Sequence, residues 1–272
     1  MSPPETGDRP SSVKSSERTL KILETLAESQ QRRSLSELAR TLEVPKSSLH
    51  AILRTMRDRG WVDTDPSGTL FGLGVRALYV GTAYVDSDDV VAVTAETLDW
   101  LAAQLDETVH LGRLDGTDVV YLAKRESNHQ LRMFSAVGRR LPTYTTALGK
   151  AVLAELPEEW LTDHLPETLT ALTPRTLADF DALRRDLERT RRRGYAVDDQ
   201  ENTDGLGCIA VTVPSDGPPQ DAISCSVPTV RLKREQRAVI ARHLLEARER
   251  IAQRPRPSGS DAPDAGGQGI PR

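Results

Sequence analysis

The chain has very little cysteine and no long apolar run, and both absences restrict what it can be. Its two cysteines, Cys208 and Cys225, sit in separate apolar, strand-like stretches without the paired spacing of a metal knuckle or a redox motif. They are expected to be reduced and buried, and no metal site or cofactor is expected. The longest apolar runs, such as the one through Ala147, Leu148 and Ala151, are broken by Lys150 and fall far short of the roughly 20 residues that a membrane span requires. Residues 1–12 carry Pro, Ser, Glu and Asp in place of an apolar segment, so no secretory signal is expected and a cytoplasmic location is. Positive charge is also in deficit: 36 Lys and Arg face 40 Asp and Glu, a net charge of −4.

That deficit is unevenly spread. Residues 13–76 hold eleven basic against eight acidic side chains, net +3, residues 1–12 contribute −1, and residues 77–272 carry the remaining −6. A small basic module on an acidic body can still dock on DNA, because the phosphate backbone responds to the local field.

What is present reads as two domains, in keeping with 272 residues and typical domain sizes. Both ends, 1–12 and 254–272, are rich in Pro, Gly, Ser and Asp and are expected to be disordered tails. Residues 13–74 are expected to form the first domain. Leu20, Ile22, Leu23, Leu26 and Ala27 share one broad face of a first helix. Ser34-Leu35-Ser36-Glu37 has the spacing of a capping box, and Leu35, Leu38, Ala39 and Leu42 follow as the apolar stripe of a short second helix. Pro45 suits the first position of a third helix, over residues 45–59, with Leu49, Ile52, Leu53 and Met56 inward and Gly60 as its stop. Short strands at residues 61–63 and 69–71 flank a turn of Asp-Pro-Ser-Gly composition. Three helices and a hairpin in this order predict a winged helix-turn-helix.

The polar side of the third helix carries Lys46, Ser47, Ser48, His50, Ala51 and Arg54. Residues near the start of a recognition helix reach base edges, and later ones and the wing meet the backbone. Lys46, Ser47, Ser48 and His50 are therefore assigned to bases or adjacent phosphates, and Arg54, Arg57 and the wing around Ser67 to phosphates. The plain alternative, a solvated helix face, is outweighed by the capping box, the turn and the hairpin.

Residues 75–88 are expected as a linker helix and residues 89–253 as a second, α+β domain. Its pattern is a long helix at 90–105, strands at 108–114, 119–124 and 131–134, helices at 146–156, 158–165 and 177–193, strands at 195–199, 208–213 and 222–227, and a last helix at 233–251.

Several stretches together resemble the IclR family of bacterial regulators. "SLSELARTLEVPKSSLHAILRTMRDRGWVDTD" with the closing "FGLG" is similar to that family's DNA-binding domain. "GRRLPTYTTALGKAVLA" (138–154), "RRGYAVDDQENTDGLGCIAVTV" (192–213) and "AISCSV" (222–227) resemble its effector domain. The resemblance implies a GAF-like effector-binding domain, a homodimer or dimer of dimers, double-stranded operator DNA as partner, and a pocket for a small carboxylic acid. It carries the pocket over onto Ala147, Leu148, Asp198, Leu206, Cys208, Ser224 and Ser226. The residues themselves agree in part: a helix start near Ala147 offers free N–H groups to an anion, and Ser224 and Ser226 alternate onto one strand face. Ala51 stands where the family often has an arginine, which removes a long donor from the recognition face. Pro228-Thr229 replaces the small turn expected after the last strand.

Two other classes compete. The winged helix could serve protein contacts instead of DNA, since fold alone does not set function. An enzyme could use Cys208 as nucleophile, with His110, His129 or His164 as base. Gly205-Leu206-Gly207-Cys208-Ile209-Ala210 fits a dinucleotide fingerprint, but the β-branched run to Pro214 follows it where a helix is required. G-x-S-x-G, H-E-x-x-H and P-loop motifs are absent. The expectation is a regulator and not an enzyme.

Overall fold

A computed structural model describes residues 13–29 and 31–254. The expected tails lie outside these residues except for Arg254, which is bonded: its guanidinium donates to Val93 O at 3.1 Å and pairs with Glu96 at 2.5 Å. The chain divides into two compact units between Tyr84 and Val85.

In the first unit the order is α1 (Lys14–Glu28), β1 (Arg33–Ser34), α2 (Leu35–Thr41), α3 (Lys46–Asp58), β2 (Val62–Thr64), β3 (Leu70–Leu73) and α4 (Val75–Asp86), which runs across the division. The capping box forms: Ser34 Oγ accepts the Glu37 N–H at 3.3 Å and the Glu37 carboxylate accepts the Ser34 N–H at 2.8 Å. Between α2 and α3 the chain turns through Glu43 at φ +53°. Pro45 lies one residue earlier than expected, as N-cap with φ −55° and ψ 135°, because its own peptide must turn before α3 starts. Ile22, Leu26, Leu38, Val44, Leu49, Leu53, Met56, Val62 and Phe71 close one apolar core. Strand β1 pairs with β3, in the order β1-β3-β2; two residues are too few to leave a periodic signal. The Asp65 carboxylate holds the β2–β3 turn, accepting from the Thr69 and Leu70 N–H groups at 2.9 and 2.8 Å.

The second unit contains α5 (Asp89–Leu105), β4 (Thr108–Asp115), β5 (Asp118–Arg125), β6 (Arg140–Pro142), a 3-10 turn (Thr143–Thr145), α6 (Ala147–Glu155), α7 (Glu158–His164), α8 (Phe180–Arg193), β7 (Ala196–Asp199), β8 (Leu206–Thr212), β9 (Asp221–Pro228) and α9 (Arg234–Ala252). Asp88 already caps α5, accepting from Val90 and Val91 N–H at 3.0 and 3.1 Å, so the helix expected over the linker stops at Asp86. The strands form one antiparallel sheet, β6-β5-β4-β9-β8-β7. Every residue of β8 is buried, and so is all of β9 after Asp221, which requires cover on both faces. Cys208 and Ala210 belong to the core beneath α6 and α8, and Ile209, Val211, Ile223, Cys225 and Val227 to the core beneath α5 and α9.

One expectation fails here. Residues 131–134 form no strand. They belong to an irregular loop, 126–139, in which Leu131 and Phe134 are 60% and 85% exposed, so the apolar letters do not mark a buried face. The strand β6, by contrast, begins at Arg140 and was not foreseen, because Arg140 and Pro142 leave only Leu141 as an apolar mark. At the other end, β9 continues through Pro228, opposite Leu206, and the Thr229 N–H donates to Gly205 O at 2.8 Å. With Pro228-Thr229 in place of the small turn, the pairing of β9 with the start of β8 therefore persists to the end of the strand.

Candidate functional site

The amphipathic period of α3 sorts its residues cleanly. Leu49, Leu53 and Met56 are buried, while Lys46, Ser47, His50, Ala51, Arg54 and Arg57 are exposed. Among the described residues, no ion pair or hydrogen bond engages the side chains of Lys46, His50 or Arg54. Ser48 is half-buried, and its hydroxyl accepts from Arg18 of α1 at 3.1 Å. Arg18 was not foreseen, since only the crossing of α1 and α3 brings it there. Ser67 is exposed at the hairpin tip, but its hydroxyl donates to Asp65 at 2.5 Å. That bond helps hold the Asp65 carboxyl down at about 2, ahead of the Leu70 N–H.

In the second unit, the seven residues anticipated for a pocket come together. Ala147 and Leu148 from α6, Asp198 from β7, Leu206 and Cys208 from β8, and Ser224 and Ser226 from β9 all line one cavity of about 10 Å³, room for roughly one water. Register explains the convergence: Cys208 pairs with Ser226 and with Asp198, so all three side chains leave the sheet on the same face. The cavity has five further lining residues, Tyr121, Met133, Leu141, Thr146 and Asn202. Thr146 was legible, standing directly before a helix as an N-cap; its hydroxyl accepts the Gly149 N–H at 3.0 Å. Asn202 left no signal, being held by a tertiary bond to Thr145 Oγ1 at 2.8 Å.

The polar lining is arranged for hydrogen bonding. The Ala147 and Leu148 N–H groups belong to the first turn of α6, where no helical carbonyl can accept them. Asp198 is 3% exposed, and its carboxylate accepts the Glu201 N–H at 2.7 Å. Burial, with the Glu201 charge adding to it, pushes the Asp198 carboxyl up to about 7. The Cys208 thiol donates to Ser226 Oγ at 3.2 Å, and burial pushes it far above the ordinary thiol range. That is the wrong direction for a nucleophile, which needs the thiolate.

None of the three histidines offered as its base is bonded to Cys208. His110 shares a 2.7 Å hydrogen bond with Ser135 and stacks on Tyr121, and burial holds its imidazole down at about 3. His129 lies 3.7 Å from Asp106 and His164 stacks on Trp160. The glycine-rich segment 205–210 lies largely within β8, with no helix after it.

Residues 15–66 match the IclR helix-turn-helix domain and residues 82–253 match the C-terminal domain of the bacterial transcriptional regulator IclR. The transcriptional repressor IclR of Escherichia coli is 35% identical over 224 residues, 81% of this chain and 82% of that one. The chain belongs to the IclR family. It is a DNA-binding transcriptional regulator with an effector-binding domain, and α3 lies inside the matched helix-turn-helix segment while all seven anticipated cavity residues lie inside the matched C-terminal segment. Solved IclR-family folds superpose well. A regulator from Alicyclobacillus acidocaldarius gives a TM-score of 0.79 at 27% identity over 89% of this chain and 98% of that one. An IclR homologue from Microbacterium hydrocarbonoxydans, complexed with 4-hydroxybenzoate, gives 0.72 at 22% identity over 88% and 99%. Among the described residues no helix is long and apolar enough to cross a membrane.

Proposed function

We propose that α3 reads operator DNA through Lys46, Ser47 and His50, that Arg54 and Arg57 meet phosphates, and that Ser48 is held in place by Arg18. The cavity between α6 and the sheet takes a small carboxylic acid, and its occupation changes operator affinity. The observation that carries the reading is the convergence of four elements, α6, β7, β8 and β9, on one cavity that combines unbonded N–H groups at a helix start with serine hydroxyls. The homologue complexed with 4-hydroxybenzoate is in keeping with a carboxylic acid as ligand. At about 10 Å³, the cavity admits such an acid only if a lining side chain moves; Met133, on the irregular loop 126–139, and Asn202 are the two half-buried ones. The protein acts on DNA in the cytoplasm, as a homodimer or a dimer of dimers. Support for the dimer comes from α4, which buries none of its residues and exposes Val75, Leu78, Tyr79 and Val80.

Gel-shift titration on fragments of the gene's own upstream region tests this, repeated with a panel of small aliphatic and aromatic carboxylates. A shift is expected at low salt, weakening as salt rises, and altered by at least one acid. Lys46→Ala and His50→Ala are each expected to weaken the shift by about tenfold while effector binding is retained. Ser226→Leu is expected to abolish the effector response with DNA binding intact. If the two α3 variants footprint like the parent, another surface reads the operator.

A further inference from the structure

The ionisable chemistry around the cavity is one-sided. Tyr121, Asp198 and Cys208 are the ionisable side chains that line it, and all three are acids; no Lys, Arg or His is among the lining residues. The cation that bears on Asp198, Lys150, is fully buried, and its ammonium is bound at 2.7 Å to both oxygens of Glu201 and at 2.9 Å to Asp186. One positive charge is thus already shared by two carboxylates. An ionised effector would therefore enter a small buried space beside a third carboxyl group, Asp198, with no cation among the lining side chains. Two carboxylates that share such a site do not both stay ionised.

We infer that the effector's carboxylate binds paired with a neutral Asp198 carboxyl, so that binding takes up one proton and Asp198 makes the cavity selective for ligands that can accept that hydrogen bond. This rests on the carboxylic-acid reading above and specifies how the site holds its ligand. The proton comes from solvent and forms the O–H bond on Asp198, which then donates to the effector carboxylate. The remaining effector oxygen faces donors of fixed position: the Ala147 and Leu148 N–H groups and the hydroxyls of Ser224 and Ser226.

Burial and the Glu201 carboxylate, on the loop after β7, favour that proton on Asp198, while the Lys150 ammonium of α6 and the Glu201 and Asn202 N–H groups pull the other way and are outweighed. The Cys208 thiol of β8 and the Tyr121 phenol of β5 face the same carboxyl, and Asp186 of α8 reaches the region through its bond to Lys150. Arg189 and Arg193 of α8 bear on Asp186. Burial already places the Asp198 carboxyl near 7, and a second anion beside it raises it further.

Calorimetry on the full-length protein tests the inference, with butyrate and 4-hydroxybenzoate as probes at pH about 6, 7 and 8, each in two buffers of different ionisation enthalpy. Proton uptake is expected to rise from near zero at the lowest pH toward about one at the highest, with Kd weakening about tenfold for each pH unit above 7. Asp198→Asn, whose amide donates without titrating, is expected to bind with a flat pH profile and no proton uptake. Binding of the parent without proton uptake at about pH 8 overturns the inference and leaves the carboxylic-acid reading standing, as does an Asp198→Asn protein with the parent's slope. If neither probe binds at any pH, both readings fall together. The uptake measurement needs only the parent protein, so the inference stays exposed even if the variant does not fold.

Discussion

Lys150 is the largest side chain with no exposure to solvent, and a lone ammonium in that position would be untenable. It is tolerated because Glu201 and Asp186 close on it from a loop and from α8. Burial alone would push the Asp186 carboxyl up, but the Lys150 charge and hydrogen bond, with Arg189 assisting, outweigh it and hold the group below its usual range. Removing one partner of such a buried set leaves the others uncompensated. Lys150→Met is expected to cost about 3–5 kcal/mol near neutral pH, measured by urea unfolding. In that variant the two stranded carboxylates have folded pKa values raised above their unfolded ones. Their ionisation then opposes folding, so the deficit shrinks as pH falls and grows as it rises. A deficit equal at pH about 5 and about 8 would contradict this account. Lys150 was legible in the sequence only as an interruption of an apolar run; its partners lie 36 and 51 residues away, and no local pattern announces them.

At the scale of the element, α6 makes the clearest case. Its N-terminal turn is pressed onto the 3-10 turn before it: a Cβ on Gly149 would stand 2.2 Å from Thr143 O. Only glycine allows the Ala147 and Leu148 N–H groups to reach the cavity from a helix that starts so close to the preceding backbone. Gly149→Ala is expected to destabilise the effector domain by about 1–3 kcal/mol, read as a lowered thermal midpoint, and to weaken effector binding in the same step. A midpoint unchanged from the parent would mean that the turn before α6 yields freely. The start of this helix was legible from Thr146 and the apolar residues after it. The contact that makes Gly149 obligatory was not, because Thr143 meets it through a fold of the chain. The loop 126–139 errs the other way: its apolar letters suggested a strand at 131–134, yet Leu131 and Phe134 face solvent, so hydrophobicity without alternation and without a pairing partner does not make a strand.

For the whole molecule, the residue that links composition to assembly is Leu78. It is 66% exposed on a helix that also exposes Val75 and Tyr79, and Val75, Leu78, Tyr79 and Thr82 recur at the spacing of one helical face. An exposed apolar stripe of this kind fits contact with a second copy. Leu78→Glu is expected to weaken self-association by at least about tenfold, measured by sedimentation equilibrium. Operator affinity should fall with it, because a dimer engages two half-sites at once. Unchanged self-association would take the proposed dimer contact off this helix.

Periodicity alone determined which side of α3 is polar and free, because Leu49, Ile52, Leu53 and Met56 recur at helical spacing and a helix has only one way to bury them. It likewise determined that Cys208 shares a strand face with Ala210, and Ser224 with Ser226, since strand side chains alternate. That Asp198 would share a small cavity with Cys208 and Tyr121, with no cation lining it, was decided only when β7, β8, β9 and β5 took their register and α6 closed over them. Ionisation responds to what lies within a few ångströms, and in this chain those neighbours come from segments far apart in sequence.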